Sequence, residues 1–79
     1  MKLHILTPEK ELYEGSVSSV ILPGLSGQFE LLDRHAPMIA ALGKGLIKLT
    51  GVKGEKQSIE ILKGFCEVIN NEVNLLVRV

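Results

Sequence analysis

The sequence is short of the residues that stabilise small secreted domains and of those that bind nucleic acids. Its one cysteine, Cys66, cannot form a disulfide within the chain, which favours a reducing compartment. It has no tryptophan and only 4% aromatic residues, and nine basic residues balance nine acidic ones. A nucleic-acid-binding protein normally shows a basic excess, so we expect no nucleic-acid partner.

Long apolar runs are missing too. None approaches the roughly 20 residues that span a bilayer, and Pro8 with the charged run Glu9–Glu11 interrupts any apolar segment that would resemble a signal peptide. The 79 residues predict one domain, residues 1–79. A domain this small buries only about 60% of its unfolded surface. We therefore expect a protein that does not insert into the membrane and that gains stability from a permanent partner.

Glycine and proline are plentiful, and they decide the fold class. The chain has eight glycines and three prolines, and both residue types are unfavourable inside helices. They divide the chain before Gly64 into segments that fit strands of about five or six residues. We predict an all-β fold, a small flattened β-sandwich or barrel of about nine to ten short, mostly antiparallel strands.

The order of apolar and turn residues places most of these strands. The predicted strands are Leu3–Thr7, Glu11–Gly15, Val17–Leu22, Gly27–Leu32, Met38–Leu42, Leu46–Thr50, Gln57–Leu62 and two more within residues 65–79. Gly51–Gly54 predicts a hairpin loop, and Asn70 with Asn71 predicts a tight hairpin, because asparagine tolerates left-handed backbone angles. Gly64 predicts a bend or bulge.

Some strands carry apolar residues on both faces. Val20–Leu22 and Leu75–Val77 are the clearest cases. Two interpretations stay open from sequence: a core with two layers, or an outer face that a partner covers.

Groups that carry chemistry are sparse. Histidine occurs only at His4 and His35, and Cys66 lies in an alternating strand, so we expect a small buried residue rather than a nucleophile. Asp33 and His35 have no third ligand within sequence reach, so we predict no metal site and no cofactor. The run Asp33–Pro37 is either a turn with local hydrogen bonds or a contact loop. Lys53 at a hairpin tip is a weak candidate for a modified lysine.

Five segments, in this order and at this spacing, resemble a known family across the whole chain. They are Leu3–Glu9, Leu12–Gly15, Gly27–Leu32 followed by His35–Pro37, Gly45–Ile47, and Gly64–Val68. The resemblance is to the epsilon subunits of the rotary F-type ATP synthase, in their N-terminal β-sandwich.

The resemblance implies a central-stalk subunit and not a catalyst. Members of this family grip the gamma subunit, rest on the ring of c subunits and help to couple ion-driven rotation to ATP synthesis. The residues implied as partner contacts are Ser26, Gly27, Gln28 and Phe29, which match the region that meets the ring, and His35 with a Thr7–Pro8 turn expected beside it. Family members often carry an acid where Gln28 stands, which changes the charge pairing expected there.

The resemblance also implies a location in the cell, and it raises the question of a C-terminal helical domain. We expect a peripheral protein on the cytoplasmic face of the bacterial inner membrane, monomeric or weakly associating when isolated. Typical members continue into a helical C-terminal domain, and we expect that helical hairpin to be absent here, because the sequence ends at Val79. The alternative is an independent β-barrel module that binds a peptide or carrier, which predicts a concave apolar pocket.

Overall fold

The computed structural model describes all residues, 1–79, and consists of eight strands without a helix. The strands are β1 (Lys2–Leu6), β2 (Glu11–Gly24), β3 (Gly27–Leu32), β4 (Met38–Leu42), β5 (Gly45–Gly51), β6 (Lys56–Ile61), β7 (Lys63–Ile69) and β8 (Glu72–Arg78). The all-β prediction is therefore confirmed, with eight strands rather than nine to ten. No helix in the chain has the length and apolar character needed to cross a bilayer.

The strands form one sheet that curls into two layers. Its order is β1-β8-β7-β4-β2-β5-β6, with β3 on β2, and a β1–β2 pairing closes it. Every pairing is antiparallel except β1 with β8. The first half of β2 pairs with β1 and the second half pairs with β3 and β5, so this long strand passes from one layer to the other.

The long strand β2 corrects the predicted strand count. Glu11–Gly15 and Val17–Leu22 were expected to be separate strands, but Gly15 pairs with Leu3 inside β2. A Cβ at Gly15 would lie 2.9 Å from the Tyr13 hydroxyl oxygen. The glycine therefore leaves room for the Tyr13 side chain to lie across the backbone, and it does not end the strand.

Gly64 does not form the predicted bulge. It pairs in regular register with Leu42 on β4 and Val77 on β8. The chain bends instead at Leu62, between β6 and β7, where the Leu62 N–H donates to the Arg78 carbonyl at 2.8 Å. A Cβ at Gly64 would lie 2.5 Å from the Leu76 carbonyl oxygen, so the glycine permits a close approach of two backbones.

The core is one apolar cluster between the layers, built by period-two alternation along the strands. Ile47 and Leu49 on β5 and Ile61 on β6 are buried. Cys66 is fully buried among them, which confirms its interpretation as a small core residue. The cluster members are Leu3, Ile5, Val17, Val20, Leu22, Leu31, Leu42, Ile47, Leu49, Ile61, Cys66, Val68, Val73, Leu75 and Val77.

Both predicted hairpins are confirmed. Asn70 and Asn71 adopt φ angles of 51° and 60° between β7 and β8, which are the left-handed angles of a two-residue hairpin turn. Between β5 and β6, Gly54 has a φ of 90° and its N–H donates to the Gly51 carbonyl at 3.0 Å. Glycine takes such an angle without steric cost.

Candidate docking surface

The β2–β3 hairpin projects from one end of the sandwich. Its turn is Leu25–Ser26, between the paired glycines Gly24 and Gly27. The Leu25 N–H donates to the Ala41 carbonyl at 3.1 Å, which ties the turn to β4. Leu25 is 72% exposed, so this end presents a large apolar side chain to solvent.

The residues predicted at this hairpin are exposed, apart from one aromatic ring. Ser26, Gly27 and Gln28 are exposed, and Phe29 is half-buried. A Cβ at Gly24 would lie 2.9 Å from the Phe29 ring, so the absence of a side chain at Gly24 leaves the space that the ring occupies. Gln28 and Phe29 thus extend from the tip along β3 toward the β4 side of the molecule.

The Thr7–Pro8 turn lies at the same end. The Thr7 hydroxyl oxygen accepts hydrogen bonds from the N–H groups of Glu9 (3.3 Å) and Lys10 (3.0 Å) and is 3.0 Å from the Lys10 carbonyl, to which it donates. The turn is therefore held by its own side chain, while Pro8 is exposed. Thr7, Pro8 and Leu25 line one groove.

His35 lies at the opposite end, so the expectation that the Thr7–Pro8 turn stands beside it is wrong. The loop that carries His35 is joined to Asn71, which precedes β8, whereas Leu6 pairs with Leu76 near the other end of β8. Four to five strand residues separate the two ends, or about 15 Å. Local sequence patterns do not reveal this arrangement, because the order of strands in the sheet decides which loops share an end.

The loop before His35 is anchored by long-range bonds. The Met1 ammonium donates to the Asp33 carboxylate at 2.8 Å, and the Asn71 side-chain amide donates to the same oxygen at 3.0 Å. Arg34 has a φ of 64°, and its N–H donates to the Asn71 side-chain oxygen at 2.7 Å. His35 is exposed, and its Nδ1 lies 2.7 Å from the adjacent Ala36 carbonyl. Local bonding therefore accounts for His35 but not for Asp33.

The charge of the Met1 ammonium acts on Asp33. The hydrogen bond from that ammonium lowers the pKa of the Asp33 carboxyl below its ordinary value of 3.8, and the bond from Asn71 lowers it further. The ionised Asp33 carboxylate therefore links the N-terminus and the Asn71 turn at this end of the sandwich.

A groove of about 700 Å³ opens at the hairpin end. Its apolar wall includes the exposed side chains of Leu25, Leu62, Phe65 and Leu76. Three cationic residues, Lys44, Lys63 and Arg78, also line it. The combination suits a partner with apolar and charged groups close together.

An apolar strip continues from the groove over the outer face of β4, β7 and β8. Phe65 and Leu76 are direct cross-strand partners, 61% and 57% exposed, and Ala41 lies opposite Phe65 on the other side. Ile39, two residues before Ala41 and so on the same face, is 77% exposed. Exposed apolar side chains that adjoin in this way are typical of interaction surfaces.

This strip bears on the two interpretations that stayed open from sequence. Leu76 lies between the buried Leu75 and Val77 and is exposed, so the apolar residues on both faces of β8 do not form a two-layer core there. Ile21 on β2 differs, because it is half-buried beside Lys48 and Glu30. The signal that identifies Phe65 and Leu76 is an apolar residue out of phase with its buried neighbours.

The potentially reactive side chains outside the docking surface are Cys66, which is buried, and His4, which lies between two glutamates. Burial raises the pKa of the Cys66 thiol to about 11, so the reactive thiolate is scarce at neutral pH. His4 lies between Glu11 (3.7 Å) and Glu72 (3.8 Å) on the outer face of β1. No three His, Cys, Asp or Glu side chains come together in a way that would hold a metal ion.

Comparison with curated proteins gives relatives that share one description. The chain is 44% identical over 75 residues to the ATP synthase epsilon chain of Chlorobium limicola, and the match covers 95% of this chain and 85% of that protein. It is 40% identical over 77 residues to the ATP synthase epsilon chain of Leptospira interrogans, covering 96% of this chain and 59% of that protein. The chain thus spans about three fifths of the Leptospira relative's length.

Solved structures agree in fold. A chain in the cryo-EM structure of the Tetrahymena thermophila mitochondrial ATP synthase central stalk and c-ring superposes with a TM-score of 0.81 at 19% identity, covering 100% of this chain and 63% of that one. A chain in the Euglena gracilis mitochondrial ATP synthase OSCP/F1/c-ring structure gives 0.89 at 18% identity, covering 95% and 48%. The family model described as ATP synthase, Delta/Epsilon chain, beta-sandwich domain matches residues 1–79. The chain belongs to this family of ATP synthase delta/epsilon-chain β-sandwich domains.

Proposed function

We propose that the chain is a non-catalytic central-stalk subunit of an F-type ATP synthase. It binds the gamma subunit, rests on the c-ring at the cytoplasmic face of a bacterial inner membrane, and helps to couple ring rotation to ATP synthesis. The names of its relatives support the complex, and one structural observation supports a docking role: the exposed apolar strip that runs from the groove over Phe65 and Leu76.

The strip suits the gamma subunit, because a permanent partner covers apolar area that a small domain cannot bury alone. The hairpin tip suits the polar loops of the ring, because Ser26, Gly27 and Gln28 are exposed and polar or small. A sheet closed by the β1–β2 pairing is also a stiff body, which transmission of torque requires.

Co-expression with the gamma subunit, followed by size-exclusion chromatography, tests the proposal. We expect a one-to-one complex and no ATP hydrolysis by the isolated chain. Phe65→Ser and Leu76→Ser should each weaken the complex by about tenfold or more, as the truncation of a central interface residue costs roughly 1–3 kcal/mol. Val52→Ser is the matched control, because Val52 is 63% exposed but lies in the β5–β6 hairpin loop.

The two predicted contact positions are tested separately, because they lie at opposite ends. Gln28→Ala and His35→Ala should both leave the isolated fold intact, since both side chains are exposed. Retention of the ring and of gamma is then measured in the assembled synthase. Unchanged assembly and coupling in both variants would contradict the assignment of these residues as contacts.

The groove favours one alternative function, an independent module that binds a peptide or carrier. Its volume of about 700 Å³ lies within the range of small-molecule sites. A well-folded monomer that fails to bind gamma would favour this alternative over the stalk assignment.

A further inference from the structure

Two of the three cations of the groove face each other across the sheet as like charges. Lys63 opens β7 and Arg78 ends β8, and the two are direct cross-strand partners. Like charges in that position are destabilising in an antiparallel pair. Lys44 lies in the β4–β5 connection and lines the same groove. The stability of the sandwich therefore does not explain this arrangement.

None of the three cations is neutralised within the chain. The ion pairs of the structure are Met1 with Asp33, Lys2 with Glu14, and His4 with both Glu11 and Glu72. Lys44, Lys63 and Arg78 belong to none of them, as is true of every lysine and arginine except Lys2, and what distinguishes these three is that they line one groove. The groove end thus keeps three positive charges unpaired on a chain whose formal net charge is zero.

The wall between these charges is apolar. Leu25, Leu62, Phe65 and Leu76 are all more than half exposed and line the groove together with the cations. A carboxylate that reaches a cation beside such a wall loses water on one side, and the attraction then exceeds that of a fully solvated pair. Apolar contact and charge pairing therefore reinforce each other at this end.

We propose that this groove receives an acidic segment of the gamma subunit, one that presents carboxylates around at least one apolar side chain. The inference rests on the proposed function, since that function supplies the partner. One observation favours gamma over the ring: the groove is continuous, through Phe65 and Leu76, with the apolar strip assigned above to gamma. Complementary charge then fixes the orientation of the partner on the apolar strip.

Charge reversal tests the inference on the complete chain with co-expressed gamma. The variants are Lys44→Glu, Lys63→Glu and Arg78→Glu, singly and together. Lys48→Glu and Lys56→Glu are the matched controls, because these lysines lie on β5 and β6 and line no part of the groove. Affinity is measured at about 50 and 300 mM salt, because salt screens exposed charges over about 10 Å at 0.1 M.

We expect each reversal in the groove to weaken gamma binding by about tenfold and the triple variant by about a hundredfold or more, with a weaker salt dependence than the original chain shows. The controls should stay within about twofold. Lys63→Glu should also raise the urea midpoint of the isolated chain, because it converts a like-charge pair with Arg78 into an opposite-charge pair. This second readout shows that weaker binding does not come from a damaged fold.

The outcomes separate the inference from the proposed function. If the original chain binds gamma and all three reversals bind it equally well at low salt, the inference is wrong and the stalk function stands. If the reversals bind gamma normally but release the ring from the assembled synthase, the occupant is the ring and the assignment to gamma is wrong. If the original chain forms no complex with gamma, both are wrong.

Discussion

Gly64→Ala is the substitution whose effect follows most directly from the geometry of the sheet. A Cβ at this position would lie 2.5 Å from the Leu76 carbonyl oxygen and 2.9 Å from Cγ1 of Val77. The first of these atoms belongs to the backbone of β8, so the strand itself has to move. Overpacking of this kind costs about 1–3 kcal/mol, and the loss of unfolded-state freedom returns about 0.4–1 kcal/mol. We expect a net loss of about 1–2 kcal/mol from these two terms.

In a domain of this size, such a loss lowers the midpoint of thermal unfolding by roughly 5–15 °C. Urea unfolding followed by circular dichroism measures the free energy directly. Gly43→Ala is the matched control, because the one tight contact of its Cβ would be with Cδ2 of the exposed Leu25 at 3.1 Å, and a flexible side chain can move aside. A Gly64→Ala variant as stable as Gly43→Ala would refute the close approach of β7 and β8 as the reason for this glycine.

Three further predictions follow from the core and the far end of the sandwich. Leu75→Ala, at a fully buried position of β8, should cost about 2–5 kcal/mol in urea unfolding, because it leaves a cavity; a loss no larger than that of Leu76→Ala on the outer face would contradict the assigned core. Asp33→Asn should destabilise the chain most above pH 4: the folded-state pKa of Asp33 is lowered, so its contribution is present above the ordinary value of 3.8 and is lost as the pH falls through the lower folded value. Equal differences between the two proteins at pH 6 and at pH 2.5 would exclude this linkage. Cys66 should react with a thiol reagent at pH 8 far more slowly in the folded chain than in urea, because burial raises its pKa to about 11; equal rates would mean that the thiol is accessible.

The all-β class and most of the strands follow from sequence because their causes are local. Alternation puts Ile47 and Leu49 on one face of a strand, where both are buried, and Asn70 with Asn71 identified a turn that needs two left-handed residues. Gly15 was wrongly predicted to end a strand, and the reason is physical. A glycine that ends a strand and a glycine that makes room for the ring of Tyr13 look the same in sequence, and only the tertiary contact distinguishes them.

The candidate site was harder to predict, because it depends on which loops share an end of the sandwich. Ser26, Gly27, Gln28, Thr7 and Pro8 lie at the hairpin end, whereas His35 lies at the other. Gln28 and His35 are separated by the length of β3, whereas the place of the Thr7–Pro8 turn follows from the parallel pairing of β1 with β8, a contact between the first and last strands. No local pattern in the sequence reports a pairing of that range.

The charged part of the groove shows why composition conceals such a site. Lys63 and Arg78 are 15 residues apart in sequence and directly opposite each other in space, while a net charge of zero suggests an evenly mixed surface. The antiparallel β7–β8 pairing brings the two like charges together, and the β4–β5 connection adds Lys44. Like charges directly opposite each other destabilise the sheet slightly, so this juxtaposition is consistent with the partner segment proposed above. A partner segment with carboxylates would relieve the repulsion on binding, and its affinity would therefore exceed what the apolar strip alone provides.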